Sequence, residues 1–221
     1  MSKLLLLNGP KGCGKSELAT ELRHHYNHSY MARCKERLFD MTTNFFNVPI
    51  ETFMDIYENR ELKESPNKLF QITRSQYDRL CVELREYNLP HGTGDAGTGR
   101  VTISLRHAMI YVSELIAKPA FGIGYFGQER AKYLDPDSNT LYIDDSALGT
   151  TCEVKDAIDR LGIDNVIAVR IYGRGDFKGD SRCYFQDGIF PNVIDLDNSG
   201  DDLEAFLEYA LAEIKEVIGN E

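Results

Sequence analysis

The sequence predicts an α/β protein of three layers, in which helices cover both faces of a central, mainly parallel sheet of five strands. Three observations lead to this fold class. Residues 3–8 contain an uninterrupted apolar run, which is typical of a parallel strand buried on both faces. A glycine-rich segment follows at once and opens an amphipathic stretch. Further along the 221-residue chain, short apolar segments alternate with helical patterns, as in sheets built from parallel crossovers.

The remaining elements of this core follow in chain order. A helix is expected from about Gly14 to Tyr26, followed by a weak second strand over 29–34. Later strands are expected at 141–143, 166–171 and 193–194, with a helix at 152–161 that ends at Gly162. The last helix, 201–218, carries apolar residues at helical spacing, namely Leu203, Phe206, Leu207, Ala210, Leu211 and Ile214.

The segment between the second and third of these strands is predicted to be a helical insertion. Residues 35–57 have a helical pattern that is interrupted near Pro49. Ser65 is predicted to cap a helix that starts at Pro66 and runs towards Tyr87, and Ser104 another that reaches about Ala117. A further helix is expected over 124–133. The glycine-rich stretch 90–99 is predicted to be a surface loop, neither strand nor helix. We thus predict one domain, with a core of 1–34, 139–172 and 186–221, an insertion at 35–138 and a lid at 173–185.

The glycine-rich segment Gly9–Ser16 has the sequence Gly-Pro-Lys-Gly-Cys-Gly-Lys-Ser and matches the P-loop pattern. Its glycines allow successive backbone N–H groups to surround a phosphate, and the helix start adds unpaired donors and a positive dipole end. Lys15 is placed to reach the outer phosphates, and the Ser16 hydroxyl to ligate Mg²⁺. The pattern predicts a nucleoside triphosphate site. The alternative is a turn that merely joins a strand to a helix.

Composition excludes several other classes of protein. A net charge of −10 disfavours a nucleic-acid binder, which needs a basic face. The five cysteines form no Cys-x-x-Cys pair, which favours reduced thiols in the cytoplasm. No stretch has the length of a membrane span, and the first residues lack the features of a signal peptide. We therefore expect a cytoplasmic protein that binds neither membranes nor nucleic-acid polymers.

Two later segments carry charges suited to phosphoryl transfer. The excursion after Ile171 brings Arg174, Lys178 and Arg182 onto a glycine-rich segment, where cations on a closing lid would stabilise the moving phosphoryl group. The alternative is a solvated loop. Asp144 and Asp145 end a strand, where open α/β sheets place ligands, so that one of them would hold Mg²⁺. The alternative is a helix cap. An Asn-Lys-x-Asp pattern, which reads guanine in GTPase switches, does not occur.

An ordered set of segments resembles the deoxynucleoside monophosphate kinases of tailed bacteriophages, a family of P-loop nucleotide kinases. These segments are the P-loop with Lys11 at its third position, Ala32–Glu36, Lys63–Pro66, Ser104–Arg106, Phe121–Phe126, Asp144-Asp145 with Glu153 downstream, Asn192–Asp195 and Asn198–Gly200. The resemblance spans nearly the whole chain, although only the P-loop is specific by itself. It implies a P-loop NTPase fold with a helical acceptor-binding insertion and a short lid.

The resemblance also implies a role for each matching residue. Gly12, Cys13, Gly14, Lys15 and Ser16 would hold the ATP phosphates, and Ser16 and Asp144 would hold Mg²⁺. The catalytic cations would be Lys15, Arg106, Arg170 and Arg174, with Arg182 as an alternative lid arginine. The acceptor pocket would be lined by Lys11, Lys35, Arg106, Tyr125, Phe126, Asp145 and Glu153.

The function expected from this resemblance is ATP-dependent phosphorylation of a deoxynucleoside 5′-monophosphate to the diphosphate. It would take place in the cytoplasm, that of the host if the chain is phage-encoded. The alternatives are a kinase of a nucleoside or another small metabolite, and a non-catalytic regulatory protein that binds ATP. The sequence leaves open the accepted bases, the sugar and the oligomeric state, a homodimer included.

Overall fold

The structure is a computed structural model that describes residues 1–83, 93–95, 99–147, 149–177 and 183–219. The chain divides into two compact units. The first comprises Met1–Cys34 and Gly124–Glu221, and the second is Lys35–Ile123. Residues 124–138, predicted as part of the insertion, group with the first unit instead.

The described residues contain eight strands and ten α-helices. The strands are β1 (Lys3–Asn8), β2 (Ser29–Met31), β3 (Pro66–Thr73), β4 (Thr93–Asp95), β5 (Arg100–Ser104), β6 (Leu141–Asp144), β7 (Val166–Tyr172) and β8 (Val193–Asp197). The helices are α1 (Lys15–His25), α2 (Cys34–Phe46), α3 (Ile50–Glu58), α4 (Arg60–Glu64), α5 (Arg74–Glu83), α6 (Leu105–Val112), α7 (Lys118–Phe121), α8 (Tyr125–Ala131), α9 (Thr151–Leu161) and α10 (Leu203–Ile218).

A five-stranded sheet organises the first unit. Its order is β2-β6-β1-β7-β8, and each neighbouring pair is parallel. Leu5 and Leu7 of β1 pack with residues of α1 and α10, whereas Leu4 and Leu6 pack with residues of α8 and α9. Because side chains alternate along a strand, the sheet needs a helical layer on each face, which explains the uninterrupted apolar run. The predicted three-layer α/β arrangement with five parallel strands is confirmed.

The helices α8 and α9, which cover one face of this sheet, approach each other closely at a glycine. A Cβ atom added at Gly127 of α8 would lie 2.0 Å from the carbonyl oxygen of Glu153 in α9. We expect Gly127→Ala to lower the free energy of unfolding by about 1–3 kcal/mol, despite the better helix propensity of alanine. Gly200→Ala is the matched control, since a Cβ there meets no atom within 4 Å. Urea titrations in which both variants unfold at the same midpoint would contradict this packing.

The second unit has its own apolar core and a three-stranded antiparallel sheet of order β3-β5-β4. Ser104 caps α6 as predicted, its hydroxyl accepting from the His107 N–H at 3.3 Å. The helix predicted to start at Pro66 is wrong, because Pro66–Thr73 forms β3 and the helix begins only at Arg74. Phe70 and Ile72 are buried and the residues beside them are not, which is a strand period. Proline is tolerated at the first residue of a strand.

The insertion is therefore not purely helical. The stretch 90–99, predicted to be neither strand nor helix, contains the short strand β4 at Thr93–Asp95. Residues 90–92 and 96–98 lie outside the described residues. Neither β4 nor β5 was predicted from the sequence. These two strands pair with each other, so the short strand β4 could not be inferred without its partner.

His107 makes the stability of the second unit depend on pH. Its Nδ1 atom lies 2.9 Å from the Ser104 hydroxyl, and burial together with the charge of Arg106 lowers the pKa of His107 below 6.5, although Glu64 opposes this. Because the unfolded chain then binds a proton more readily, stability is retained above about pH 6.5 and falls below it, by at most about 1.4 kcal/mol per pH unit. Thermal unfolding from pH 7 down to about pH 5 should show a smaller loss for His107→Gln than for the wild type. Parallel curves would contradict the assignment.

Candidate functional site

The segment Gly9–Ser16 is a tight loop that joins β1 to α1 at the carboxyl end of β1. Gly12 and Gly14 have φ angles of 82° and 98°, in the left-handed region that favours glycine. Gly9 has no room for a side chain, since a Cβ there would lie 2.6 Å from the Cys13 sulfur and 2.7 Å from the Ile171 carbonyl oxygen. The spacing of the glycines is thus required by this backbone geometry.

Lys15 is folded back onto its own loop. Its Nζ donates to the carbonyl oxygens of Gly9 at 2.7 Å and Pro10 at 2.6 Å, and lies 3.4 Å from the Cys13 sulfur. The residue is 7% exposed. A cation is held at the loop by carbonyl dipoles, so the arrangement concentrates positive charge where the loop N–H groups and the start of α1 also favour an anion.

Ser16, Asp145 and Arg33 form a chain of polar contacts beside this loop. The Ser16 hydroxyl donates to Oδ2 of Asp145 at 3.3 Å, and Nε of Arg33 donates to Oδ1 of the same carboxylate at 3.0 Å. Ser16 lies in the first turn of α1, Asp145 follows β6, and Arg33 follows β2. β1, β6 and β2 are neighbours in the parallel sheet, so their carboxyl ends meet at one edge. Arg33 was missed in the sequence, although its position after the second strand was a usable signal.

Asp144 points elsewhere. Its carboxylate accepts from Nη1 of Arg130 at 2.6 Å, and both side chains are fully buried. Its other oxygen accepts from the Ser146 backbone N–H at 2.8 Å. Asp144, which was predicted to hold Mg²⁺ with Ser16, is thus paired with Arg130, and the carboxylate that lies beside Ser16 is that of Asp145. Successive side chains near a strand end point to opposite faces, so the two aspartates could not both reach Ser16.

Three buried side chains that could ligate a metal ion lie around Arg130. One ligand atom each of Cys34, Asp144 and Glu153 lies within 4.8 Å of the others. Arg130 already supplies positive charge there, and its Nη2 donates to the Glu153 carbonyl oxygen at 2.8 Å. Burial raises the pKa of Cys34 well above its usual value, which favours the protonated thiol, a poor metal ligand. These residues form a structural network around a buried cation.

The predicted acceptor residues are divided between the two units. Tyr125 and Phe126 lie on α8, are buried, and contact each other edge to face with ring centroids 5.3 Å apart. Glu153, also buried, lies in the first turn of α9. In the second unit, Nε of Arg106 donates to both carboxylate oxygens of Glu64 at 2.8 Å.

The ring of Tyr57 in the second unit is contacted by the side chains of two lysines. The Nζ of Lys63 lies 3.4 Å from the Tyr57 ring centroid and that of Lys35 5.9 Å from it. Contacts of this kind between a cation and the face of an aromatic ring are attractive. The structure thus holds Lys35, which was predicted to line the acceptor pocket, close to the ring of Tyr57.

The predicted lid arginines differ from one another in their contacts. Arg170 donates from Nε and Nη2 to Asp195, both at 2.6 Å, and from Nη1 to Asp187 at 2.6 Å. Two carboxylates therefore offset the charge of Arg170, which was predicted to be a lid cation, and the pair with Asp195 ties β7 to β8. Arg174 donates to the carbonyl oxygen of Gly200. Lys178 and Arg182 lie outside the described residues.

The segment after β7 packs closely against the glycine-rich loop. A Cβ added at Gly175 would lie 2.3 Å from the carbonyl oxygen of Lys11 and 3.5 Å from Cβ of Pro10. Gly175 has a φ angle of 72°, so glycine is favoured on both counts. The backbone after β7 therefore lies against the glycine-rich loop at Lys11 and Pro10.

Comparisons with known proteins give little further information. The chain matches no protein-family model, and no curated protein matches it. Among solved structures it is similar to an unliganded sugar kinase from Janibacter sp. HTCC2649, with 13% identity over 97% of this chain and 95% of that chain. The TM-score of 0.40 is too low to establish a shared fold. Within the described part of the chain, the helices are too short or too polar to traverse a bilayer.

Proposed function

We propose that this chain is a Mg²⁺-dependent kinase that transfers the γ-phosphoryl group of ATP to a deoxynucleoside 5′-monophosphate. The proposal that ATP is the phosphoryl donor rests on three features that meet at one edge of the sheet. These are the tight glycine-rich loop, the Lys15 ammonium held on it, and Ser16 hydrogen-bonded to Asp145. A turn that only joined a strand to a helix would not need a lysine at 7% exposure or a carboxylate beside its serine.

The donor side follows from the chemistry of these groups. The backbone N–H groups of residues 12–16 would bind the ATP phosphates, and Lys15 would leave the carbonyls of Gly9 and Pro10 to contact the outer phosphates. Ser16 and Asp145 offer the hydroxyl and carboxylate oxygens that Mg²⁺ prefers. The ion, when bound, neutralises phosphate charge.

Phosphoryl transfer on this site needs no protein base. An oxygen of the acceptor phosphate attacks the γ-phosphorus, a new P–O bond forms, and the bond to the bridging oxygen breaks. The electron pair of that bond leaves with ADP, so no proton has to move. The protein therefore contributes positioning and positive charge, which dominate catalysis in this reaction class.

The acceptor half rests on the resemblance of the segments Ala32–Glu36, Lys63–Pro66, Ser104–Arg106 and Phe121–Phe126, with Glu153 further along, to the phage kinases. Arg106 would bind the acceptor phosphate, with Glu64 fixing the plane of its guanidinium. Lys11 and Lys35 would add charge, while Tyr125 or Phe126 and Glu153 would line the base pocket. The alternative, a kinase of another small metabolite, would use the same ATP site and would differ only in the residues that bind the acceptor.

A two-part experiment tests the proposal. Calorimetry should show binding of ATP with Mg²⁺ by the wild-type protein. A coupled assay of ADP release should then show turnover with at least one deoxynucleoside monophosphate, measured beside ribonucleoside monophosphates, nucleosides and simple sugars. Turnover only with an acceptor that lacks phosphate would refute the acceptor. Binding of ATP without turnover on any acceptor would refute the kinase, and no binding of ATP would refute the whole proposal.

A further inference from the structure

The geometry points to Arg33 as a further catalytic residue, one that contacts the phosphoryl group during its transfer; this inference rests on the proposed function. Arg33 lies two residues beyond β2, at the edge of the sheet where the glycine-rich loop and Asp145 meet. Neither the P-loop pattern nor the family resemblance assigns a role to this position.

The side chain of Arg33 is anchored at one atom and accessible beyond it. Nε donates to Oδ1 of Asp145 at 3.0 Å, and the exposed fractions of the two side chains are 32% and 1%. Within the described ranges, Asp145 is the single hydrogen-bond and ion-pair partner of the Arg33 guanidinium. Of its five N–H donors, the four on Nη1 and Nη2 therefore remain for a ligand.

Two other arginines of the first unit are bound to carboxylates in a different way. Arg130 is fully buried against Asp144, and Arg170 is held by Asp187 and Asp195. Arg33 combines proximity to Ser16, through a single intervening carboxylate, with a planar pair of unused nitrogens. That fork matches two oxygens of a phosphoryl group, whereas a lysine would offer only a point charge.

The position of Arg33 suits a contact with the phosphoryl group during transfer better than a contact with the bound nucleotide. Lys15 and the loop would surround the phosphates of the donor, and the Asp145 carboxylate lies between Ser16 and Arg33, at 3.3 Å from one and 3.0 Å from the other. As the bond from the γ-phosphorus to ADP breaks and the bond to the acceptor oxygen forms, negative charge spreads over the three other oxygens of the phosphoryl group. A guanidinium oriented by Asp145 stabilises that charge without reorganising.

The test compares Arg33→Gln and Arg33→Lys with Arg23→Gln, whose arginine is exposed on α1. We expect Arg33→Gln to lower kcat by about 100- to 1000-fold, with a smaller loss for Arg33→Lys and none for the control. The dissociation constant for ATP with Mg²⁺, measured by calorimetry without acceptor, should change by less than about threefold, because Arg33 is assigned to the moving group. The melting temperature should stay within about 2 °C of the wild type, as for other partly exposed ion pairs.

A second readout does not depend on turnover. Binding of ADP, aluminium fluoride and the deoxynucleoside monophosphate together mimics the transferring group, and Arg33→Gln should weaken this complex about 100-fold while binding ADP alone normally. Equal weakening of ATP binding and of kcat would overturn the inference, since Arg33 would then only position Asp145. Unchanged kcat would also overturn it. A wild type that binds no ATP would refute the proposed function itself, a result readily distinguished from either.

Discussion

Replacing Lys15 with methionine should lower kcat of the proposed kinase reaction by at least about 1000-fold while the protein remains folded. The ammonium sits on the carbonyls of Gly9 and Pro10 at 2.7 and 2.6 Å, inside the loop that would hold the ATP phosphates. Methionine has similar length and no charge, so it removes the electrostatic stabilisation of the γ-phosphate and leaves the packing nearly filled. The loss should exceed that of any other single substitution at this sheet edge, because Lys15 would be the residue that contacts the outer phosphates from the loop.

Stability should change far less than turnover in this variant. The substitution removes hydrogen bonds from a charged donor, which costs about 1–3 kcal/mol, and it also removes a largely buried cation, which offsets part of that cost. Lys155→Met is the matched control, because Lys155 is exposed and pairs with Asp159 on the surface of α9. Assays of ADP release and calorimetric titrations with ATP measure the effect. A Lys15→Met protein with kcat near that of the control would contradict the assigned site.

Asp144→Asn should lower the free energy of unfolding by about 3–5 kcal/mol. The substitution leaves the guanidinium of Arg130 charged and fully buried, without its carboxylate at 2.6 Å. Arg130 also ties α8 to the first turn of α9 through the Glu153 carbonyl oxygen. The damage therefore spreads from the end of β6 to the helical layer that covers it, and the melting temperature should fall by about 6–20 °C.

A double variant separates the buried charge from the packing. Asp144→Asn combined with Arg130→Met removes both charges, and we expect it to be more stable than Asp144→Asn alone. Asp159→Asn is the surface control, since its partner Lys155 is exposed, and it should cost less than about 1 kcal/mol. Far-ultraviolet circular dichroism during urea unfolding suits this chain, which contains no tryptophan. A loss for Asp144→Asn no larger than that of the surface control would contradict the buried ion pair.

The elements of the first unit could be predicted because their signals are local. An apolar run of leucines, a glycine that ends a helix and an amphipathic period of 3.6 residues each act within a few positions of the chain. At Pro66 the local signal is misleading, because serine followed by proline is also typical of a helix start. Pairing of β3 with β5 decided that segment, and this pairing joins residues some 30 positions apart that no local pattern connects.

By itself the sequence determined the loop, the lysine and serine at its end, and the five-stranded sheet that presents them, because each depends on neighbouring residues and on glycine conformation. The tertiary structure decided which aspartate faces Ser16, and it brought in Arg33 and Arg130. The contacts of Asp145 span 129 residues to Ser16 and 112 to Arg33. Sequence spacing carries no information about such contacts, since they arise only when parallel strands bring their carboxyl ends to the same edge of a sheet.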